Sequence, residues 1–544
     1  IRVEDTYYMT ASSFNYTPGL PILISKDLVN WNLVNYAVKN INYDTYGIPA
    51  HGKGIWAPAI RYYNNKFWIY YGMPDEGIFM VNTNNPLGEW SEPVCVLKGK
   101  GFIDPCPFWE EDGKAYVIHG YANSRIGFKS ILGIFPMSED GTRATGEDRF
   151  IFDGRKTQPT IEGPKVYKKG RYYYIFAPAG GVKTGWQTVL RAISIYGPYE
   201  EKIVMAQGST KINGPHQGGL VDTKHGEEWF LHFQDRGAYG RIVHLQPVKW
   251  SNGWPMIGKN SDENGLGEPV LTYKKPDRDM NLEDHTTYLK ASDDFTNKTL
   301  SLQWQWLGNH EKGFYSLTER KGFLRLYSQN PSGDPMVTLW RSPNVLTQKI
   351  VCPSFQAIAR IELQGLKEGE QTGMVLLGGQ YAYIAVRREE KHLMVVYVES
   401  QGEEEIRKEK VLMKERISDR IQKVEMKLVV NNQEESPVAR FSYRINEDMI
   451  EDTNQDINED ISKGVNPNVS TYGNEDRSKG VNPDVSMDNG INMDRYIETG
   501  YEFIPSKHTW VGAKIGLFSL PLCKKESCGY GDIDFIKVEP MKDK

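Results

Sequence analysis

Long apolar runs are missing from this 544-residue sequence, and so are sustained stretches with helical apolar periodicity. The first absence removes a membrane-spanning helix, which needs about 20 consecutive apolar residues. The second argues against a mainly helical chain. Cysteine is scarce: Cys95, Cys106, Cys352, Cys523 and Cys528 are too few and too scattered for a disulfide framework, and no spacing resembles a zinc site. Cys523 and Cys528 stand close enough to pair across a loop, and free thiols account for them equally well. A large charge of one sign is also lacking. The net charge of −5 leaves no basic stripe of the kind that nucleic-acid binding needs. The sequence opens at Ile1 inside a strand pattern, and the expectation is that the native start lies upstream, so compartment is not read from it. Nothing in the sequence speaks to oligomeric state.

What is present is a repeated figure of short strand, polar turn and aromatic strand. Ile55-Trp56-Ala57-Pro58 runs into Lys66-Phe67-Trp68-Ile69-Tyr70-Tyr71 through Asn64-Asn65. Ile103-Asp104-Pro105 runs into Lys114-Ala115-Tyr116-Val117-Ile118-His119 through Asp112-Gly113. Ile161-Glu162-Gly163-Pro164 runs into Arg171-Tyr172-Tyr173-Tyr174-Ile175-Phe176 through Lys169-Gly170. Alternation and turn chemistry make each a hairpin. Weaker copies start at Ile1, with the turn Glu4-Asp5, and at His216-Gln217-Gly218-Gly219. Heads near residues 1, 55, 103, 161 and 216 recur every 50 to 60 residues or so, the spacing of one propeller blade per repeat. Five copies predict five blades. Equivalent positions of a radial repeat converge on its axis, so Asp104 and Glu162 are expected to meet there. Paired carboxylates are the raw material of glycoside hydrolysis.

The chain is too long for one ordinary domain. Residues 1–275 hold the repeats, 276–290 read as a polar linker, and 291–541 carry many short alternating strands, the pattern of a β-sandwich. Residues 446–494 fit neither part. They are acidic and Asn-rich and contain the near-duplicate Ser462-Lys463-Gly464-Val465-Asn466-Pro467 and Ser478-Lys479-Gly480-Val481-Asn482-Pro483, which reads as an insertion unable to bury apolar surface.

In order along the chain, Tyr7 to Phe14 with Pro18-Gly19-Leu20-Pro21, Ser25-Lys26-Asp27-Leu28-Val29-Asn30-Trp31, Gly54-Ile55-Trp56-Ala57-Pro58, Ile103-Asp104-Pro105, Glu162-Gly163-Pro164, Gly214-Pro215-His216-Gln217-Gly218 and Gly240-Arg241 resemble glycoside hydrolase family 43. Trp304-Gln305-Trp306 and Tyr315 to Arg320 resemble the family's C-terminal domain. The resemblance implies an all-β chain, a five-bladed β-propeller followed by a concanavalin-like β-sandwich. It implies an inverting β-xylosidase or α-L-arabinofuranosidase acting on xylo-oligosaccharide or arabinoxylan fragments, with no cofactor needed for the chemistry. Inversion sets an acid and a base on opposite faces of the sugar, roughly 6.5 to 9.5 Å apart. By motif match Glu162 is the general acid. Asp104 orients it and raises its pKa by like-charge repulsion. The family's base is an Asp in an Asp-Pro pair, which in register falls upstream of Ile1. The 544 residues by themselves are therefore expected to hydrolyse glycosides poorly.

The remaining candidates follow from the same register. Arg241 is expected in the terminal-sugar site, where its planar fork binds hydroxyls. His216 heads the fifth repeat and is a candidate for holding a central water or a calcium ion. Phe14 and Trp56 are expected to wall the sugar. Trp186, read in a loop after the Glu162 hairpin, is expected to stack on the leaving-group sugar. Asp293 and Asp534 lie near the two ends of the sandwich and are candidates for a structural calcium site. Two alternatives remain: a non-catalytic carbohydrate-binding propeller, favoured by the missing base, and a fructan-acting enzyme, disfavoured because Ile103 and Gly163 replace the residues expected beside its two acids.

Overall fold

Asn64 and Asn65 show how the local sequence builds the fold. Both adopt positive φ, 49° and 56°, and pair Tyr63 directly with Lys66. That is the twist a two-residue hairpin turn requires, and Asn tolerates it better than most residues. In the computed structural model, which describes residues 1–544 except 261, 263, 277–286, 332, 334–336, 404–406, 434–435, 446–448, 450–494, 524–528 and 543–544, hairpins of this kind assemble into seven sheets. Five belong to a propeller and two to a sandwich. The linker expected at 276–290 falls largely outside the described residues, as does the insertion expected at 446–494, and so does Cys528.

Each blade is an antiparallel meander whose first strand is innermost. Blade one spans Arg2 to Val38, blade two Ala59 to Lys98, blade three Phe102 to Asp153, blade four Lys165 to Ala206 and blade five His216 to Ile257. The innermost strand of blade one is only Arg2–Val3. Two short strands, Lys259–Asn260 and Gly267–Glu268, extend the outer edge of blade four. The Lys169-Gly170 turn shifts by one residue: Lys169 pairs with Tyr172, leaving Gly170 and Arg171 as the loop. Blades one and five share no strand pairing. Tyr7, Leu28, Val221 and Trp229 close the ring by apolar packing, and Arg2 is hydrogen-bonded to Asp222 at 2.5 Å.

The sandwich stacks two seven-stranded sheets over one large apolar interior. The strands flanking residues 446–494, Ser436–Arg444 and Ile497–Phe503, pair with each other. One sheet faces the propeller, where Tyr16 joins its apolar cluster. Backbone hydrogen bonds between Thr17 and Trp306, 2.6 and 3.1 Å, stitch the two parts together. Among the described residues no helix is long and apolar enough to cross a membrane.

Candidate active site

Irregular strand ends put the candidate acids on the axis. Asp104 lies in Phe102–Trp109, the inner strand of blade three, where pairing with Ala115–Tyr121 slips between Ile118 and Gly120. Its φ is 56°. A bulge re-aims a side chain, and left-handed backbone at a non-glycine costs roughly 1–3 kcal/mol, strain that clusters at functional sites. The inner strand of blade five, His216–Asp222, slips in the same way between His216 and Gly219. Glu162 sits in the turn just before Lys165–Lys169, and Gly163 at φ 58° turns its N–H toward the neighbouring blade.

The result is a connected cluster. The Gly163 N–H donates to Asp104 Oδ2 at 2.8 Å, and the Gln217 amide donates to the same oxygen at 3.1 Å. Gln217 also bonds Glu162. His216 Nε2 lies 2.7 Å from Glu162 Oε1, and its Nδ1 is buried without a hydrogen-bond partner among the described residues. His216 Nε2–H is the donor, since an ionised carboxylate only accepts. Asp104 is 2% exposed, whereas the Glu162 side chain is 34% exposed, so Glu162 is the carboxylate a ligand can reach.

Burial, and then the negative charge of Glu162, push Asp104 up to about 7, against the opposing pull of Lys165, the Gly163 N–H and Arg241. Burial pushes Glu162 upward too, but the His216 hydrogen bond and charge, with Arg241, outweigh it and hold Glu162 below the usual carboxylate range. This corrects the sequence expectation, which gave the raised pKa to Glu162. His216 bonds Glu162 and Arg241 acts on Glu162 more than on Asp104, so in the ligand-free protein the proton of this coupled pair resides on Asp104.

Aromatic walls flank the cluster. Trp56 donates its indole N–H to Gly52 O at 3.1 Å and lies 6.2 Å from the buried Phe14 ring. Arg125, bidentate on Asp75, covers another side of Trp56 at 5.5 Å. Arg241 rests 4.5 Å from the Phe233 ring. The residue that sequence reasoning missed is Trp510. It comes from the sandwich, is 43% exposed, and lies 6.0 Å from Trp56 and 5.8 Å from the Arg241 guanidinium. Its strap reaches the propeller because Gly512 and Gly240 meet backbone to backbone: a Cβ on Gly512 would fall 2.6 Å from Gly240 N. Nothing in the order of the chain pairs these two glycines, so the sequence carries no signal for Trp510. A cavity of about 830 Å³, lined by Ser13, Arg61, Lys165, Gln217, Arg241 and Trp510 among others, opens between the inner ends of blades one, two, four and five and the sandwich; it reaches the cluster through Gln217 and Arg241, and neither Asp104 nor Glu162 lines it. Its volume lies within the range of small-ligand pockets.

Other candidates stand apart. Trp186 begins the strand Trp186–Ala192 rather than lying in a loop; its indole N–H bonds Gln158 at 2.8 Å and its ring packs into the core between blades three and four. The sandwich ends do meet, through mutual 2.8 Å backbone bonds between Asp293 and Ile536. Yet the Asp293 carboxylate accepts from the Trp304 indole at 2.9 Å, whereas Asp534 accepts from Arg360 at 3.2 Å. Each carboxylate is committed to a different protein donor. Among the described residues no group of three or more His, Cys, Asp or Glu side chains could hold a metal. Around His216 the free donor is a lone ring nitrogen, a poor match for calcium's preference for several oxygens.

The sequence model described as Glycosyl hydrolases family 43 matches residues 1–255, and that of the Beta xylosidase C-terminal Concanavalin A-like domain matches residues 292–464. A protein of Xylanibacter ruminicola is 41% identical over 366 residues, 67% of each chain. A Beta-xylosidase of Formosa agariphila is 33% identical over 458 residues, 74% of this chain and 75% of that one. The chain belongs to glycosyl hydrolase family 43. This family 43 glycosidase is also 32% identical over 397 residues to a Non-reducing end alpha-L-arabinofuranosidase of Bacteroides ovatus, covering 69% of this chain and 70% of that one. Among solved structures, a bifunctional GH43-CE protein of Bacteroides eggerthii superimposes on all of the chain with TM-score 0.77 at 26% identity, the chain spanning 62% of its length. A xylan beta-1,4-xylosidase from Bacillus halodurans shares the fold over 99% of this chain and 97% of its own, with TM-score 0.78 at 21% identity.

Proposed function

We propose that the protein releases terminal xylose or arabinose from xylan-derived oligosaccharides, with inversion, and that Glu162 is the general acid. One observation carries this reading: a single Asp104 oxygen binds the Gly163 N–H and the Gln217 amide, which couples the two carboxylates and leaves only Glu162 open to a ligand. Asp104 is then the orienting group and proton reservoir. A sugar seated over Glu162 displaces water from its oxygens, which disfavours the anion and draws the shared proton toward the glycosidic oxygen. Arg241 binds ring hydroxyls and steadies the carboxylates. Trp56 and Trp510 present apolar faces to the pentose, whereas Phe14, expected beside them from the sequence, is 3% exposed and backs Trp56 from within the core. The Trp510 strap closes one side of the cavity, which favours removal of a terminal sugar over cleavage within a chain. The named relatives, one a Beta-xylosidase and one an alpha-L-arabinofuranosidase, support both pentoses as substrates. The proton transfers run through carboxylates and call for no cofactor.

Inversion also needs a carboxylate base on the far face of the sugar. Among the described residues no third carboxylate is hydrogen-bonded to Asp104 or Glu162. In the family resemblance this base is an Asp in an Asp-Pro pair, and the 544-residue chain is the reference for adding it. The test compares that chain with one extended upstream of Ile1 by an Asp-Pro-bearing segment. Xylobiose is the discriminating substrate, because its leaving hydroxyl needs the acid and a nitrophenolate does not. The extended chain should release xylose, and Glu162→Gln should cut the rate by about a hundredfold to ten-thousandfold. Release that ignores Glu162 would overturn the assignment. Saturable binding without turnover in the extended chain would instead favour the carbohydrate-binding reading.

A further inference from the structure

Trp56 and Trp510 face each other across a domain boundary, and each sits a few residues from a histidine that does the same. His51 precedes Trp56 on a propeller loop, and Gly52, between them, accepts the Trp56 indole N–H at 3.1 Å. His508 precedes Trp510 on the sandwich strap. The two histidines are hydrogen-bonded, His508 Nε2 to His51 Nδ1, at 2.7 Å. Alongside, a Cβ on Gly52 would meet Thr509 Cγ2 at 2.9 Å, so loop and strap lie in close contact. Behind them Trp340 of the sandwich stacks on His51 at 3.6 Å and 19°, and its carbonyl lies 2.7 Å from His51 Nε2.

These contacts fix the protonation pattern. A carbonyl only accepts, so His51 Nε2 carries a proton and donates to Trp340 O. His51 Nδ1 is then the acceptor. His508 Nδ1 also faces a carbonyl, Thr509 O, but at 3.4 Å; the 2.7 Å contact is the stronger, so in the neutral pair His508 Nε2–H donates to His51 Nδ1. The surroundings enforce neutrality: burial disfavours an imidazolium at either ring, and the Arg407 guanidinium, 4.0 Å over the Trp340 ring, opposes a further positive charge. Protonating His51 Nδ1 would set donor against donor.

We propose that the His51–His508 hydrogen bond positions Trp510 against Trp56 and so sets the width of the sugar-binding slot between propeller and sandwich. Both histidines are positioning residues, since they act on the ligand through the two indoles. The effect on sugar affinity rests on the pentose-pocket reading above; the placement of Trp510 does not.

The test uses the full 544-residue chain labelled with fluorotryptophan. The Trp510 fluorine resonance is assigned by its loss in Trp510→Phe, and binding is titrated with xylobiose. His508→Leu removes the donor. His508→Gln places an amide nitrogen where Nε2 stood and should restore the bond. The expectation is a shifted Trp510 resonance and about tenfold weaker xylobiose binding in His508→Leu, with His508→Gln within about threefold of the wild type. Should His508→Leu fail to fold, His508→Asn, whose amide stops short of His51, replaces it with the same expectation. A wild-type Trp510 resonance in the Leu or Asn variant overturns the proposal. So does a Gln variant that falls as far as Leu, because packing and not the hydrogen bond would then be responsible. If the wild-type chain binds no xylobiose while the Trp510 resonance still moves in His508→Leu and recovers in His508→Gln, the pentose reading fails and the positioning pair stands.

Discussion

Replacing Asp104 by Asn removes a charge from the most enclosed part of the site while keeping the side chain's shape. The Asn carbonyl can still accept from the Gly163 N–H, so the change is chiefly electrostatic. Asp104 is raised from 3.8 to about 7, which makes its ionisation a destabilising event in the folded protein. The sign follows from proton counting. Between those two values the folded state holds a proton that the unfolded state has lost, so stability is greatest below the unfolded value and falls as pH rises through the folded one. Taking the two values at face value, the aspartate costs about 1.5 kcal/mol at pH ~5 and about 4 kcal/mol at pH ~8 relative to a neutral residue. Asp104→Asn should therefore gain about 2.5 kcal/mol on the wild type over that interval. Urea unfolding of both proteins at the two pH values, followed by tryptophan fluorescence, measures the difference. Parallel pH dependence in the two would show that Asp104 ionises normally and that no proton is held between it and Glu162.

Two further outcomes follow from the same geometry. Arg241→Ala should weaken xylobiose binding about tenfold to a hundredfold through the loss of a buried charged donor. Because Arg241 lowers both carboxylates, the alkaline limb of the pH–rate profile of the base-bearing chain should also move upward; an unmoved limb would place the guanidinium too far away to matter. Trp510→Ala should weaken xylobiose binding about tenfold with little change in thermal stability, since the ring is 43% exposed and packs on few neighbours. Equal affinity in calorimetry would remove the strap from the pocket.

The sequence by itself determined the hairpins, their number and the register that sets Asp104 and Glu162 at equivalent blade positions. Turn residues such as Asn64 and Asn65 act over a few bonds, and a repeated pattern carries its own symmetry, so both can be read along the chain. The all-β propeller and sandwich followed from the same signals. Only the tertiary structure decided which of the two carboxylates keeps the proton, because that depends on His216 and Arg241 approaching from blade five. It alone turned the Trp186 indole onto Gln158 and the Asp534 carboxylate onto Arg360, since strand alternation gives a side chain's face but not its partner. It alone brought Trp510 across more than four hundred residues to Trp56. Burial, field and contact are sums over neighbours that the order of the chain does not contain; backbone preference and repeat period are properties of that order.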